Sequence, residues 1–453
     1  MGRELRGHVL GLAALLAFGC QAQGPDDAPS DAPFSVRHTT LGTPDQLWLE
    51  DKLLAVLASP EVARQRERGR AVYETDPQAA HEAGRRTMVS ALDSIAGAMV
   101  QWAVNDDPSR PRLLWSNQAA HEWFGLKVPQ AGYGIENPDN VYRHALIDGV
   151  SAYRIEGRRR PPAASQQSFT LYSILPGTTA MEREGSPIIA ALDEVEIDED
   201  GRFVVTVDAR PAEGRKNHIQ SSPETAILIV RDSLTDWSRE NASELSIERV
   251  DGPPAGPAPT VREMAERAAW LMERTIPFWA EYDRRYIFSR PANRVVPPRV
   301  RGGGWGFSTA GHFVLEADEA WVVTLSTLGA RYLGFQLADP WGVGLPYVDR
   351  SGSLNASQAR PNPDGSLSFV ISASDPGVYN WIDTAGLDRG IFAIRWQNLE
   401  ASVESAEEGV VEARVVRLDK LESALPIGTA RITPADRARQ LARRARNYAR
   451  RLK

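Results

Sequence analysis

The sequence predicts a mainly β protein: two related jelly-roll or β-sandwich units, each preceded by α-helices, with an amphipathic helix at the C-terminus. Three observations predict it. Apolar residues recur at helical spacing before residue 104 and again after residue 260. Short alternating runs, cut by Gly, Pro, Asp and Asn, follow each helical stretch. The second set of runs echoes the first at an offset that stays between 163 and 165 residues.

The chain opens like an export signal. Arg3 and Arg6 precede an apolar run from Val9 to Phe18, too short to span a bilayer as a mature helix. The run ends in Leu16-Ala17-Phe18-Gly19-Cys20, and small residues before a cysteine resemble the bacterial lipobox. The expectation is a signal peptide over residues 1–19 and a lipid on Cys20; the competing reading is a buried helix with a stray cysteine. Cys20 is the sole cysteine, so one mature molecule holds no disulfide, thiolate nucleophile or zinc–thiolate site. Two acyl chains would anchor it stably to a membrane. Gln21, where Asp would favour the inner membrane, points to the outer one in a cell that has two.

Residues 20–43 combine Pro25, Pro29 and Pro33 with Asp26, Asp27 and Asp31, as a tether does. Residues 44–257 are expected to hold helices and the first β-unit. Thr43-Pro44-Asp45-Gln46 reads as a capping box, and Met88, Leu92, Ile95, Met99 and Trp102 form one helical face. Such a stripe is more often core than cofactor site. Strands are expected at Ser151–Ile155, Phe169–Ile174, Phe203–Val207 and Ala226–Val230. The linker runs from Asp251 to Pro259.

Residues 258–432 are expected to hold a helix and the second unit. Thr260 and Glu263 form a capping box, and Met264, Ala268, Leu271 and Phe278 the apolar face. Strands follow at Ala320–Leu325, Tyr332–Leu337, Leu367–Ile371 and Ile391–Trp396. The correspondences are specific: Asp200-Gly201 with Asp364-Gly365, Asn217 with Asn380, Ile219 with Ile382, Arg231 with Arg395. The Asp-Gly pairs suit hairpin turns. An internal duplication is the expectation.

The last segment, 433–453, carries eight basic side chains and one acid, against 42 and 57 over residues 20–432. Its helix spaces Ala438, Leu441, Ala445, Tyr448 and Leu452 along one stripe, with arginine elsewhere. It would lie either on anionic lipid or against the acidic body. The acidic body argues against nucleic acid as a partner.

Three blocks resemble the bacterial family known as domain of unknown function 1214. They are Glu136–Arg143 with Asp148-Gly149 and Tyr153–Gly157; Asn217–Gln220 through Arg231 to Asp236-Trp237; and Gly334–Gly342 through Asn355, Asp364-Gly365 and Asn380-Trp381 to Arg395-Trp396. They span most of residues 130–400. The resemblance implies a jelly-roll-like β-fold and no particular activity.

The usual catalytic signatures are absent. Gly306–Gly311 is not a nucleophile elbow, Gly302-Gly303-Gly304 lacks the Lys-Ser/Thr of a phosphate loop, and no two mature-chain histidines lie within five residues. No cofactor or metal is expected. His218 is a candidate base, with Asn217 a candidate contact beside it; both also suit a self-bonded turn. Asp148, Asp208, Asp339 and Asp383 are candidate carboxylates for glycoside chemistry. Trp341, Trp381 and Trp396 near acids suit sugar rings, or else core. Asp139, Asn140 and Arg143, read as a connector, and Asn380 complete the candidate ligand contacts. Two functions remain open: an envelope protein binding a saccharide or other envelope component, or a glycan-acting hydrolase or lyase.

Overall fold

Capping and apolar spacing build the helices. The computed structural model describes residues 39–179, 187–301, 306–400 and 402–453. The leader, Cys20, the tether to residue 38 and Gly302-Gly303-Gly304 lie outside them. All described residues fall within one compact unit, His38–Lys453. Helix α1 spans Pro44–Leu57, α2 Pro60–Glu74, α3 Glu82–Val104 and α4 Val261–Tyr286. At α4 the capping box of Thr260 and Glu263 is complete. At α1 only half forms: the Thr43 hydroxyl accepts from the Gln46 N–H at 3.2 Å. The Gln46 side chain turns inward instead, donating to Glu50 at 2.7 Å and accepting from the Trp115 N–H at 2.8 Å. A buried backbone donor outbids an exposed one for the same amide, because only the buried one has no water to turn to.

The expected face Met88, Leu92, Ile95, Met99 and Trp102 is buried, in one core with Leu49, Leu53 and Tyr73 and with Met264, Leu271 and Ile276 of α4. So α4, although it precedes the second sandwich in sequence, packs on α1–α3 as a single helical layer. Gly69 permits the α2–α4 contact: a Cβ there would lie 2.7 Å from Ile276 Cδ1. No described helix is long and apolar enough to cross a membrane.

Four larger sheets, in two pairs, make up most of the rest, with a separate two-stranded hairpin of His121–Trp123 and Leu126–Val128. In the first pair, a five-stranded sheet runs Leu114–Ser116, Asn140–Leu146, Ile227–Ser233, Gln166–Tyr172, Ile188–Leu192 in spatial order. It faces a four-stranded sheet of Glu244–Asp251, Ala152–Arg158, Arg202–Asp208 and His218–Gln220. In the second, Arg299–Val300, Gly306–Val314, Arg389–Gln397, Tyr332–Ala338 and Ser353–Asn355 form the larger sheet. Val410–Arg417, Glu319–Leu325, Leu367–Ser372 and Trp381–Asp383 form the smaller. Taken in chain order, the nine strands of each sandwich have the same neighbours. Even the single parallel pairing recurs, 206–208 with 218–220 and 370–372 with 381–383.

The stretch read as a connector, Asn137 to Arg143, is half strand: Asn140 and Arg143 belong to Asn140–Leu146, an inner strand between Leu114–Ser116 and Ile227–Ser233. Its polar residues hid it, because both faces are covered and the usual alternation is lost.

The C-terminal helix, Pro434–Tyr448, docks on the body with Tyr448 of the expected stripe buried and Leu441, Ala445 and Leu452 half-buried, and with arginines beside them. Ala438 is exposed, and Arg437, Arg444, Tyr448 and Arg451 face inward. Arg444 donates to the Tyr347 carbonyl at 2.6 Å, Gln358 Oε1 at 2.8 Å and Ser353 Oγ at 2.8 Å. Arg451 donates to the Pro138 carbonyl at 2.9 Å, and Arg437 to Asp375 at 2.9 and 3.2 Å. Only Arg437 meets a carboxylate. The helix is held by five-donor guanidiniums satisfying carbonyls at sheet ends, not by net charge attraction.

The second core is aromatic: Phe335 meets Trp321, Phe369 and Phe392 at centroid distances of 6.0, 5.6 and 6.1 Å. Phe335→Ala is therefore expected to cost about 3–5 kcal/mol. A urea titration followed by tryptophan fluorescence checks this, and an unchanged midpoint contradicts it.

Candidate functional site

The hydroxyl, amide and carboxylate side chains singled out in the sequence are mostly consumed by the fold. His218 sits with its side chain fully covered. Its Nδ1 is 2.9 Å from Thr206 Oγ1 and its Nε2 2.9 Å from the Arg210 carbonyl. Asp208 lies 3.8 Å away but is taken by Arg215 and Arg210. Those guanidiniums hold its carboxyl well below the usual carboxylate range. A covered ring with both nitrogens engaged beside a neutralised acid cannot serve as a base to a ligand.

The paired asparagines share one structural job. Asn217 accepts from the Glu196 N–H at 2.9 Å and donates to the Glu196 carbonyl at 2.8 Å. Asn380 does the same to Arg360, at 2.7 and 2.8 Å. Each amide pins a neighbouring loop by mimicking a strand partner.

The four candidate carboxylates share no hydrogen-bond partner. Asp148 accepts from the Val150 and Ser151 N–H groups at 3.0 and 2.7 Å. Asp383 accepts from Ala385 N–H and pairs with Arg350 at 2.6 Å. Asp339 accepts from the Trp341 and Val343 N–H groups at 2.9 and 3.1 Å. The tryptophans are core: Trp341 stacks on Tyr73 at 4.0 Å, Trp381 donates to the Ser372 carbonyl, and Trp396 is fully buried. Arg143 pairs in the interior with Asp232 and donates to the Ser243 carbonyl at 2.6 Å. Asn140 accepts from Ser233 at 2.8 Å. Asp139 is buried among Trp237, Tyr332 and Asn355.

Two groupings were not legible in sequence. The first is a buried acid cluster that gathers Asp76 after α2, Asp283 near the end of α4, Asp339 and Glu136. Burial pushes the Glu136 carboxyl up to about 8 and that of Asp339 up to about 7. Burial, with the neighbouring Asp339 and Asp76 charges, raises Asp283 well above the usual range. The groups span 263 positions, from Asp76 to Asp339, so no local motif betrays them. Among the described residues no group of His, Cys, Asp or Glu is arranged to hold a metal ion.

The second grouping is an open cleft of about 320 Å³ beneath the C-terminal helix. Its walls include Trp237, Gln358, Arg360, Tyr379, Arg443 and Arg444. Arg360 lies over the Tyr379 ring at 4.3 Å, and Arg444 over the Trp237 ring at 4.4 Å. Arg444 is fixed by its three hydrogen bonds. Arg360 and Arg443 have no carboxylate at ion-pair distance among the described residues. Asp236 is the one acid on the walls, and its carboxylate is engaged by Ser238 at 2.9 and 2.6 Å. The cleft thus offers two guanidiniums outside any ion pair, one of them laid on the Tyr379 ring, and the Asn447 amide. Of its lining residues the sequence had singled out only Asp236 and Trp237, in a family block, and Leu441, in the C-terminal stripe.

No family model matches the sequence, and no curated protein matches it. Among solved structures the chain is similar to an uncharacterised protein from Burkholderia cenocepacia. The two are 24% identical with a TM-score of 0.62, over 83% of this chain and 100% of that one. That likeness is one of fold. The VPA0106 protein from Vibrio parahaemolyticus aligns at 9% identity with a TM-score of 0.38, over 82% and 99% of the two chains. At that score it carries no argument.

The acid cluster makes a signed prediction. Glu136 and Asp339 titrate above their ordinary values of 4.5 and 3.8, so the folded state keeps protons that the unfolded chain has released. Their stability contribution is complete below about pH 4 and is lost as pH rises through about 7 and 8. The denaturation midpoint is expected to fall over that rise, and to fall less in Glu136→Gln. Parallel urea titrations across the range check this; identical slopes in the two proteins contradict it.

Proposed function

We propose that this chain is a lipid-anchored cell-envelope protein whose body binds an anionic saccharide in the cleft under the C-terminal helix. The observation that carries the reading is the pair Arg360 and Arg443, exposed cations without a carboxylate at ion-pair distance, on a wall that also presents Tyr379 and Asn447. A guanidinium takes a carboxylate, sulfate or phosphate through two parallel N–H bonds. Amide and hydroxyl groups suit sugar hydroxyls, and aromatic rings suit the apolar face of a pyranose. Arg444 cannot swing away, since its three hydrogen bonds and the Trp237 ring fix it, so one cation of the site is pre-organised.

The lipid on Cys20 rests on the lipobox, and an outer-membrane location on Gln21. We also read the two sandwiches as copies of one jelly-roll-like unit of the 1214 family. Their common strand order and the equivalent amide bridges of Asn217 and Asn380 support a duplication. The family assignment rests on the three sequence blocks alone.

A glycan-acting hydrolase or lyase is the second reading. It is favoured by Glu136 and Asp339, carboxyls with protons poised near neutrality in one cluster. Against it, both are buried and neither lines the cleft.

The full chain with Cys20→Ser, measured by calorimetry against uronate-containing and neutral glycans, tests the binding reading. Acidic glycans are expected to bind, and Arg360→Ala with Arg443→Ala to weaken them by about tenfold or more. Equal affinity for neutral glycans, or no loss in the double variant, overturns it. Cleavage of a glycan that Asp339→Asn abolishes would establish the second reading instead.

The anchor has its own test. Cys20→Ser should stop acyl labelling and let a high-salt wash strip the chain from membranes, where the parent stays. A variant still labelled and still resistant to the wash refutes the anchor.

A further inference from the structure

The C-terminal helix has a second charged face. With Arg437, Arg444 and Arg451 turned inward, Arg443, Arg446, Arg450 and Lys453 are exposed. Arg239 is exposed beside them, on the loop to which the helix end is tied. Arg450 donates to the Arg239 carbonyl at 3.3 Å and to Asn241 Oδ1 at 3.2 Å. None of these five cations pairs with a carboxylate among the described residues. Of the acids near them, Asp436 is paired with Arg439, and Asp236 and Glu240 accept only from neutral donors, Ser238 and the Thr235 N–H, so five cations stand against two uncompensated carboxylates. On a body whose residues 20–432 carry 42 basic and 57 acidic side chains, this is a local reversal of sign.

Its position supplies the second argument. The described chain begins at this face. Thr40 and Leu41 line the same small groove as Arg450, Arg451 and Lys453. The residues ahead, with Cys20, therefore join the body at the edge of the patch. Thr39 stands 19 positions after Cys20, a reach of at most about 65 Å when fully extended. Attachment at this edge keeps a lipid surface within the tether's reach of these cations.

We propose that this face rests on anionic phospholipid headgroups and orients the body on the membrane. The inward arginines hold the helix to the protein while the outward ones meet the lipid, so the helix serves both surfaces at once. Its apolar residues are docked or shallow, which makes the contact electrostatic rather than inserted. Asn447 lines both the groove at the chain start and the cleft. The docked body therefore holds the cleft at the bilayer surface. The proposal does not depend on what the cleft binds.

The test uses the full chain with Cys20→Ser, which removes any acyl contribution, and sedimentation with vesicles. The vesicles are phosphatidylcholine with or without phosphatidylglycerol. Binding is expected only with phosphatidylglycerol, and is expected to weaken with salt. At roughly fivefold per charge, Arg446→Gln with Lys453→Gln should weaken it by about 25-fold. Adding Arg450→Gln should bring the loss to about a hundredfold. Arg450 also ties down a loop, so if the triple variant melts early the double variant decides. Arg299→Ala, on an exposed edge strand that lines neither the cleft nor the groove at the chain start, should bind vesicles as the parent does. Binding to neutral vesicles alike, no binding to anionic ones, double-variant affinity equal to the parent, or loss in Arg299→Ala would each overturn the proposal. A merely solvated helix face corresponds to the second of these outcomes.

Discussion

The Asp139 carboxylate is buried where the two sandwiches and the C-terminal helix meet, and it takes a donor from three separate segments. Trp237 Nε1 and Asn355 Nδ2 donate to one oxygen at 2.8 Å each, and the Tyr332 hydroxyl donates to the other at 2.7 Å. Asn137 extends the network, donating to the Tyr332 hydroxyl at 2.8 Å and accepting the Asp139 N–H at 3.0 Å. Burial raises the Asp139 carboxyl; the Tyr332 bond, the Arg444 guanidinium, the Asn355 bond and the Arg451 guanidinium work against that rise. A buried charge of this kind adds little net stability. Losing one partner is costly, because the remainder is left desolvated. The network therefore acts as a geometric constraint more than as glue. It sets Trp237, Trp237 provides the surface on which Arg444 and Arg451 lie, and those arginines set the C-terminal helix. The cleft wall and the outward basic face are both consequences of that placement.

The interior buries carboxyls in two ways. Asp139 and Asp232 sit against guanidiniums or several donors, so their charge is compensated. Glu136, Asp283 and Asp339 have mainly one another and a few backbone N–H groups, so protons do the compensating. The physical distinction is the local supply of cations. Trp341 stacked on Tyr73 keeps that region dry, since both rings are buried.

Much of the fold was legible in particular residues. The α4 capping box, the Met88–Trp102 face and the exposed linker after Asp251 are local, and local physics decides them. The paired asparagines could be read as structural because the same amide recurred while its neighbour changed from His218 to Trp381. The strand at Asn140–Leu146 was missed because burial on both faces erases alternation. The apolar stripe of the C-terminal helix faces the body from Leu441 to Leu452, but the inward Arg437, Arg444 and Arg451 beside it were not legible, because arginine on a helix reads as a solvent residue. Here each inward guanidinium finds enough carbonyl, amide, hydroxyl or carboxylate acceptors to leave water.

What the sequence determined by itself was the capped amphipathic helices, the most apolar strands, their order and the echo between the halves, because each follows from spacing within a few turns or one strand. The tertiary structure alone decided which acids meet, which carboxyls keep their protons and which arginines stay free. Those properties depend on desolvation and on donors brought together from segments up to about two hundred residues apart, as when Tyr332 and Asn355 close on Asp139. Spacing along a chain carries no record of such distances in space.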